Sequence, residues 1–315
     1  MRLASTTTLE TCYIQLSITV TIGYSFNSAP LAYRMGSPKD YLEIMRPVNS
    51  FMVGIAIIVG AAITGGIQLL NNWILLLYSF ITGFTLTGAS MAINDYYDRD
   101  IDFINEPNRP IPSGRISPKS AIIFTMLLSI IGLYASWMIS LEALVIAVFA
   151  WIVMMVYSMW GKKTGFLGNL MVSTCIALPF IYGGILSNQL WSSFSFSLLA
   201  FLSNTGREVT KGIVDIQGDR AAGVRTVAVS KGATRAADIA TLFFLAAVAS
   251  SVVPVYLKRV SFWYIPFVLI TDLGLIYSSY QIVSDPSRET ARSVKKRILY
   301  LMLIGLIGFA AGSLI

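Results

Sequence analysis

Runs of about twenty predominantly apolar residues dominate the chain, and no other feature narrows its possible folds as far. Nine such runs lie near residues 44–66, 73–97, 118–138, 141–160, 166–186, 192–212, 235–257, 261–283 and 297–314. As a helix, each is long enough for a hydrocarbon core of about 30 Å. In lipid only helices and closed barrels satisfy every backbone N–H and C=O, and the alternation expected of barrel strands is missing. The reading is therefore an all-α integral membrane protein with nine transmembrane helices. A mean hydropathy of +0.70 and a charged fraction of 12% support it over any soluble globular class.

Lys and Arg set the expected orientation. With the start of the first run inside, the inner segments hold Lys39, Arg46, Arg99, Arg109, Arg115, Lys119, Lys162 and Lys163. They also hold the basic groups from Arg207 to Arg235 and from Arg288 to Arg297, while the outer loops keep only Lys258 and Arg259. The expected topology is a multi-pass cell-membrane protein with its N-terminus in the cytoplasm and its C-terminus outside. The net charge of +7 thus reports topology first, and cations spread over loops between spans make nucleic acid a poor partner. The absence of His excludes imidazole bases and His-held metals, and Cys12 and Cys175 have no metal or redox spacing. Residues 1–38 are read as an N-terminal extension, either disordered or arising from a start placed too far upstream. Residues 39–315 form the membrane domain.

Carboxylates are costly in such a chain, yet they recur in two clusters. The first is Asn94-Asp95-Tyr-Tyr-Asp98-Arg-Asp-Ile-Asp102, and the second is Asp215-Ile-Gln-Gly-Asp219. Asn94, Asp98 and Asp102 are four apart, as are Asp215 and Asp219, so each set shares one helix face. Four spans separate the clusters, so an even number of crossings brings both to the same membrane side. Oxygen ligands without His or Cys favour a hard cation, most plausibly Mg²⁺, and two facing sites would suit a diphosphate bridged by the metal. The plainer reading is two solvated helix ends. Asp95 and Asp100 fall off the shared face and are expected to pair with a nearby Arg or meet water.

Further polar groups gather at the same mouth. Arg207-Glu208-Val-Thr-Lys211-Gly-Ile-Val-Asp215 is an acid–base–acid ladder at helical spacing. Arg109, Lys162 and Lys211 are candidates to contact a diphosphate, although any one of them also serves as a topology marker. Arg46 and Asn49 are candidates for an anionic acceptor head, with a snorkelling anchor as the alternative for Arg46. Tyr157-Ser158-x-x-x-Lys162 sets a hydroxyl beside an ammonium, and Tyr157 is grouped with the acceptor contacts. Pro107, Pro110 and Pro112 stop the preceding helix, so the loop through Arg115, like the Gly-rich loop 218–232, is free to fold over the mouth as a lid. Asp272 lies too deep to join the mouth clusters.

Asn94-Asp95-x-x-Asp98-x-x-x-Asp102, Tyr157-Ser158-x-x-x-Lys162 and Asp215-x-x-x-Asp219 together resemble the motifs of the UbiA prenyltransferase superfamily, over about residues 39–315. The resemblance implies a nine-helix bundle around a central cavity, with Mg²⁺ ions and an isoprenyl diphosphate at a cytoplasmic mouth. Asn94, Asp98, Asp102, Asp215 and Asp219 would hold the metal, and the four aspartates would act as the catalytic carboxylates. Within the superfamily, Glu43-Ile-Met-Arg46-Pro47-Val-Asn49, Arg109-Pro-Ile-Pro-Ser-Gly-Arg115 and Arg207-Glu-Val-x-Lys211 look like archaeal digeranylgeranylglyceryl phosphate synthases. Gly212-Ile-Val-Asp215-Ile-Gln-Gly departs from that pattern, which often has an acidic residue before the final Gly-Asp.

That likeness implies a lipid-synthesis enzyme with geranylgeranyl diphosphate as donor and the free hydroxyl of geranylgeranylglyceryl phosphate as acceptor. The product would be the second ether bond of an archaeal phospholipid, made in contact with membrane lipid. The nearest alternative is the same fold prenylating an aromatic acceptor such as 4-hydroxybenzoate. A cation-coupled transporter is the remote one, because transport sites normally lie at the bilayer midplane and these clusters lie at one mouth.

Overall fold

A computed structural model describes residues 36–221 and 223–314, which form helices joined by turns and loops and contain no strand. The elements are α1 (Pro38–Ile44), α2 (Pro47–Leu70), α3 (Trp73–Asn105), α4 (Pro118–Trp137), α5 (Leu141–Met159) and α6 (Phe166–Leu186). They continue as α7 (Leu190–Val214), α8 (Ile216–Ala221), α9 (Val227–Ser250), α10 (Val253–Tyr256), α11 (Tyr264–Ser284) and α12 (Arg288–Leu314). A 3-10 turn at Gly161–Thr164 joins α5 to α6. The extension expected at 1–38 falls outside the described residues except for its last three, of which Pro38 opens α1.

Local chemistry sets several helix starts. The side chains of Asn72, Ser117 and Ser140 accept from the amides of Leu75 (3.2 Å), Ser120 (3.0 Å) and Ala143 (3.1 Å). Each satisfies an amide that the first helical turn leaves unpaired, and Pro38 and Pro118 sit in first turns where no N–H is needed. The first expected span is interrupted. The chain breaks at Met45–Arg46, where Arg46 takes a left-handed φ of 48°, and α2 begins at Pro47.

Among the described residues, seven helical segments are long and apolar enough by composition to cross a membrane: α2 to α6, α9 running on through α10, and α11. The other two expected spans, α7 and α12, fall short, so apolarity alone does not carry the count of nine. Charged turns from Arg288 to Arg297 open α12 and precede its expected span. For α7 the reason is position. That helix packs against α6, α9 and α12 and turns Ser197, Asn204, Thr205 and Glu208 into the protein. The polar groups are answered there: Ser197 donates to the Ala177 carbonyl (3.1 Å) and Asn204 to the Ser173 hydroxyl (3.1 Å). A helix surrounded by protein is released from the demand for apolar faces that lipid imposes.

The helices form a closed ring. α2 packs on α3 and α6, α6 on α7, α7 on α9 and α12, and α12 returns against α2. One side of α7 is sealed by a core that includes Val209, Ile213, Phe244, Leu275 and Ile298. On the other side α2 and α6 approach backbone to backbone. A Cβ on Gly183 would stand 2.3 Å from the Ala61 nitrogen and the Gly60 carbonyl carbon, so only glycine permits this crossing. Gly165 plays a second such role at the mouth end, where its φ of +67° brings the chain against the Arg225 carbonyl.

Candidate active site

A cavity of about 670 Å³ opens between α2, α3, α5, α6 and α7. Its deep walls are apolar, built by Ile57, Leu86, Ile146, Met154, Val172 and Ile176. Its mouth carries Arg46, Asp98, Asp102, Arg109, Lys162, Glu208 and Lys211. On α3 the lining residues Thr87, Ser90, Met91, Asn94, Asp98, Ile101 and Asp102 recur at steps of three and four, so one helix face supplies the wall. Asn94, Asp98 and Asp102 share that face as the spacing predicts.

Each buried mouth carboxylate has a cationic partner. Asp98 accepts from the Asn94 amide (2.9 Å) and from Lys162 Nζ (2.5 Å). Asp102 accepts from Arg109 Nη1 at 2.5 Å. Burial works against the charge on Arg109, but the hydrogen bond and charge of Asp102 outweigh it and hold its pKa above the ordinary arginine value. Glu208 lies between Arg207 (2.8 Å) and Lys211 (3.4 Å), and it lines the cavity. Charged groups this far from water persist because they are paired.

For Asp95, as for Asp100, the spacing led to an expectation of a nearby Arg or water, and Asp95 finds two arginines. It is 3% exposed, with Arg46 Nη2 at 2.6 Å and Arg109 Nη1 at 3.5 Å. Arg46 reaches it from the break before α2, where the left-handed backbone turns the guanidinium inward over Met91. Arg109 comes from a tightly folded loop. Ile111 and Ile116 bury themselves against Ile44, Ala92 and Ala121, and Arg115 clasps Asp40 (2.6 Å), Glu43 (2.7 Å) and the Asn108 carbonyl. That loop borders the cavity through Glu106 and Arg109. Residues 218–232, the second expected lid, contribute nothing to the cavity lining among the described residues.

The other expected site residues divide. Tyr157, Lys162 and Lys211 line the cavity, whereas Asn49 is exposed and outside the lining. Asp215 and Asp219 stand beyond the lining. Asp215 is the residue at which α7 ends, and Asp219 lies on the short α8, tied back by its amide to the Asp215 carbonyl (2.8 Å). Burial and then the Asp215 carboxylate push the Asp219 carboxyl above its ordinary value, with Lys211 acting the other way. The second cluster therefore adjoins the cavity through Lys211. Asp272 accepts from the Ser251 hydroxyl (2.7 Å), whose carbonyl in turn accepts from Tyr264, so it tethers α11 to the end of α9. Asp100 is exposed, 3.7 Å from Arg99.

Glu208 and Ser158 are among the lining groups that the sequence left without a role. Glu208 was legible only as one rung of a ladder, and its inward direction depends on how α7 rotates. Ser158 is buried at the cavity wall with no partner for its hydroxyl, although its place beside Tyr157 was visible. The donor set as a whole is oxygen-only at the mouth and fits a hard cation. Among the described residues no three acidic, Cys or His groups cluster as a ready-made metal cage. That pattern suits Mg²⁺, which typically takes one or two protein carboxylates and completes its shell with phosphates and water.

The model of the UbiA prenyltransferase family matches residues 51–307. The digeranylgeranylglyceryl phosphate synthase of Methanosphaera stadtmanae is 34% identical over 274 residues, covering 87% of this chain and 99% of that one. A solved structure of digeranylgeranylglyceryl phosphate synthase superposes with a TM-score of 0.81 at 32% identity, covering 87% of this chain and 98% of the other. A UbiA homologue from Archaeoglobus fulgidus bound to GPP and Mg²⁺ shares the fold at a TM-score of 0.61 and 17% identity, with 86% and 99% covered. On the family match and the synthase likeness together, this chain is a multi-pass membrane enzyme and belongs to the UbiA prenyltransferase family.

Proposed function

We propose that this enzyme transfers the geranylgeranyl group of geranylgeranyl diphosphate to the free hydroxyl of geranylgeranylglyceryl phosphate, with Mg²⁺ as cofactor. One observation carries the reading. A single cavity joins a mouth of paired carboxylates and cations to a long apolar interior, which is the polarity of a prenyl diphosphate. The relatives named as digeranylgeranylglyceryl phosphate synthases support the choice of donor and acceptor.

Asn94, Asp98 and Asp102, with Asp215 and Asp219 at the rim, would hold the metal. Bound there, Mg²⁺ would neutralise diphosphate charge and so ease departure of the leaving group. Lys162, Arg109 and Lys211 lie within the same mouth and would add charge-assisted contacts to the diphosphate oxygens. The C1–O bond of the donor breaks with its electron pair leaving on diphosphate, and the acceptor oxygen forms the new C–O bond. The hydroxyl proton passes to the departing diphosphate or to a mouth carboxylate, so no imidazole base is required. The apolar walls exclude water from the allylic carbon. Arg46, held at the mouth by Asp95, would bind the acceptor phosphate, and Tyr157 lines the same cavity. The Lys and Arg distribution supports a mouth that faces the cytoplasm.

The test is product analysis with purified enzyme, Mg²⁺ and labelled geranylgeranyl diphosphate, offering geranylgeranylglyceryl phosphate and 4-hydroxybenzoate separately. A diether product that disappears in Asp98→Asn is expected. Prenylated hydroxybenzoate alone would overturn the acceptor while keeping the prenyl-transfer chemistry.

A further inference from the structure

We propose that Tyr182, pinned by Ser136, is the floor of the donor cavity and sets the length of prenyl chain the enzyme accepts. The proposal rests on the prenyl-transfer reading and goes beyond it by naming what selects among donors.

Four helices run from mouth to interior, and the deepest lining residue of each falls in the same layer. These are Ile57 on α2, Thr82 on α3, Ile146 on α5 and Tyr182 on α6. Beneath them the cavity stops. Tyr182 is 3% exposed and belongs at once to the lining and to a packed core with Ala143 and Ala147, against which Ile139, Ile185 and Leu186 are packed. It is the only aromatic ring of that layer. Its hydroxyl meets the Ser136 hydroxyl of α4 at 2.8 Å, and Ser136 is fully buried. A ring held at both ends, by the core and by a buried hydrogen bond, cannot swing aside at low cost for a longer chain.

The depth matches one chain length. From Asp98 to Thr82 is sixteen residues of α3, or about 24 Å at a rise of 1.5 Å per residue. An extended isoprene unit advances about 5 Å for ordinary carbon–carbon bonds. Four units therefore reach about 20 Å and stop at the floor once the diphosphate occupies the carboxylate level. A fifth would have to enter the space filled by the Tyr182 ring. Ala150 lies one turn of α5 above Ile146, at about the level of the last isoprene unit, and it too lines the cavity.

The experiment offers donors of 15, 20 and 25 carbons in competition, with two variants that move the floor in opposite directions. Tyr182→Ala combined with Ser136→Ala removes the ring without stranding a hydroxyl. It is expected to raise the 25-to-20-carbon ratio of kcat/KM by about tenfold or more, since a single methylene in an apolar pocket already discriminates about tenfold. Ala150→Phe is expected to raise the 15-to-20-carbon ratio by a similar factor. Binding of non-hydrolysable thiodiphosphate analogues of the same lengths, followed by thermal shift, should move in parallel without catalysis. Unchanged length ratios in a folded Ala150→Phe enzyme overturn the ruler, as do unchanged ratios in the double variant. Wild-type enzyme that transfers none of the three chains overturns the prenyl-transfer reading instead.

Discussion

Asp95 offers the most quantitative test of the mouth. Its carboxylate is almost wholly buried, and it faces Arg46 at 2.6 Å and Arg109 at 3.5 Å, whose side chains are 34% and 31% exposed. Removing one partner of a fully buried pair costs about 3–5 kcal/mol. That range must be discounted here, because each guanidinium retains water and Arg109 keeps Asp102. About 1–3 kcal/mol is therefore expected for Asp95→Ala, and about half of that for Asp95→Asn, which can still accept one hydrogen bond. The assay is reversible unfolding in mixed micelles, arranged as a double-mutant cycle with Arg46→Gln. A coupling energy of about 1–2 kcal/mol is expected between the two positions. A coupling below about 0.3 kcal/mol would show that the pair contributes nothing beyond independent sites, and the argument that Asp95 holds Arg46 would fail.

Lys162→Met removes the ammonium beside Asp98, and kcat/KM for the donor should fall about 10- to 100-fold, consistent with a charged hydrogen bond worth about 1.5–3 kcal/mol; a lower thermal midpoint should accompany it, because the buried Asp98 carboxylate loses its cationic partner, and donor-titrated initial rates with thermal unfolding check both points. Arg46→Ala should raise the acceptor KM while Asn49→Ala, outside the cavity, leaves it unchanged; equal effects would remove Arg46 from the acceptor site. Gly183→Ala forces a Cβ into the backbone of α2 and should cost about 1–3 kcal/mol or more, seen as a lower thermal midpoint in detergent. The hydrogen bond from Arg115 holds the Glu43 carboxyl below its ordinary value. A depressed acid stabilises the fold above its unfolded pKa and loses that contribution as pH falls through the folded one. Unfolding titrations from pH 7 down to pH 3 should accordingly show a larger acid-side loss in wild type than in Arg115→Ala.

Much of the architecture was legible because lipid imposes a simple rule on sequence. A helix facing hydrocarbon must be apolar along about twenty residues, and α2 to α6, α9 and α11 meet that rule, although α3 runs eight residues past its expected end and α9 starts eight before its expected beginning. The rule weakens for α7, whose neighbours are protein, and its polar residues dilute the signal. The break at Arg46 was not legible either. Pro47 permits a new helix to start, but the left-handed turn before it becomes visible only when Arg46 reaches across to Asp95 on another helix.

By itself the sequence determined a helical membrane protein, the common face of Asn94, Asp98 and Asp102, and an acidic mouth rich in Lys and Arg. These follow from hydropathy and from the helical repeat, which act over a few neighbouring residues. Only the tertiary structure decided which cation meets which carboxylate, that Glu208 turns into the cavity while Asp215 and Asp219 stay at its rim, and that Tyr182 closes the interior. Those outcomes depend on how helices rotate and cross. Backbone contact such as Gly60 against Gly183 sets that geometry over distances that no local pattern encodes.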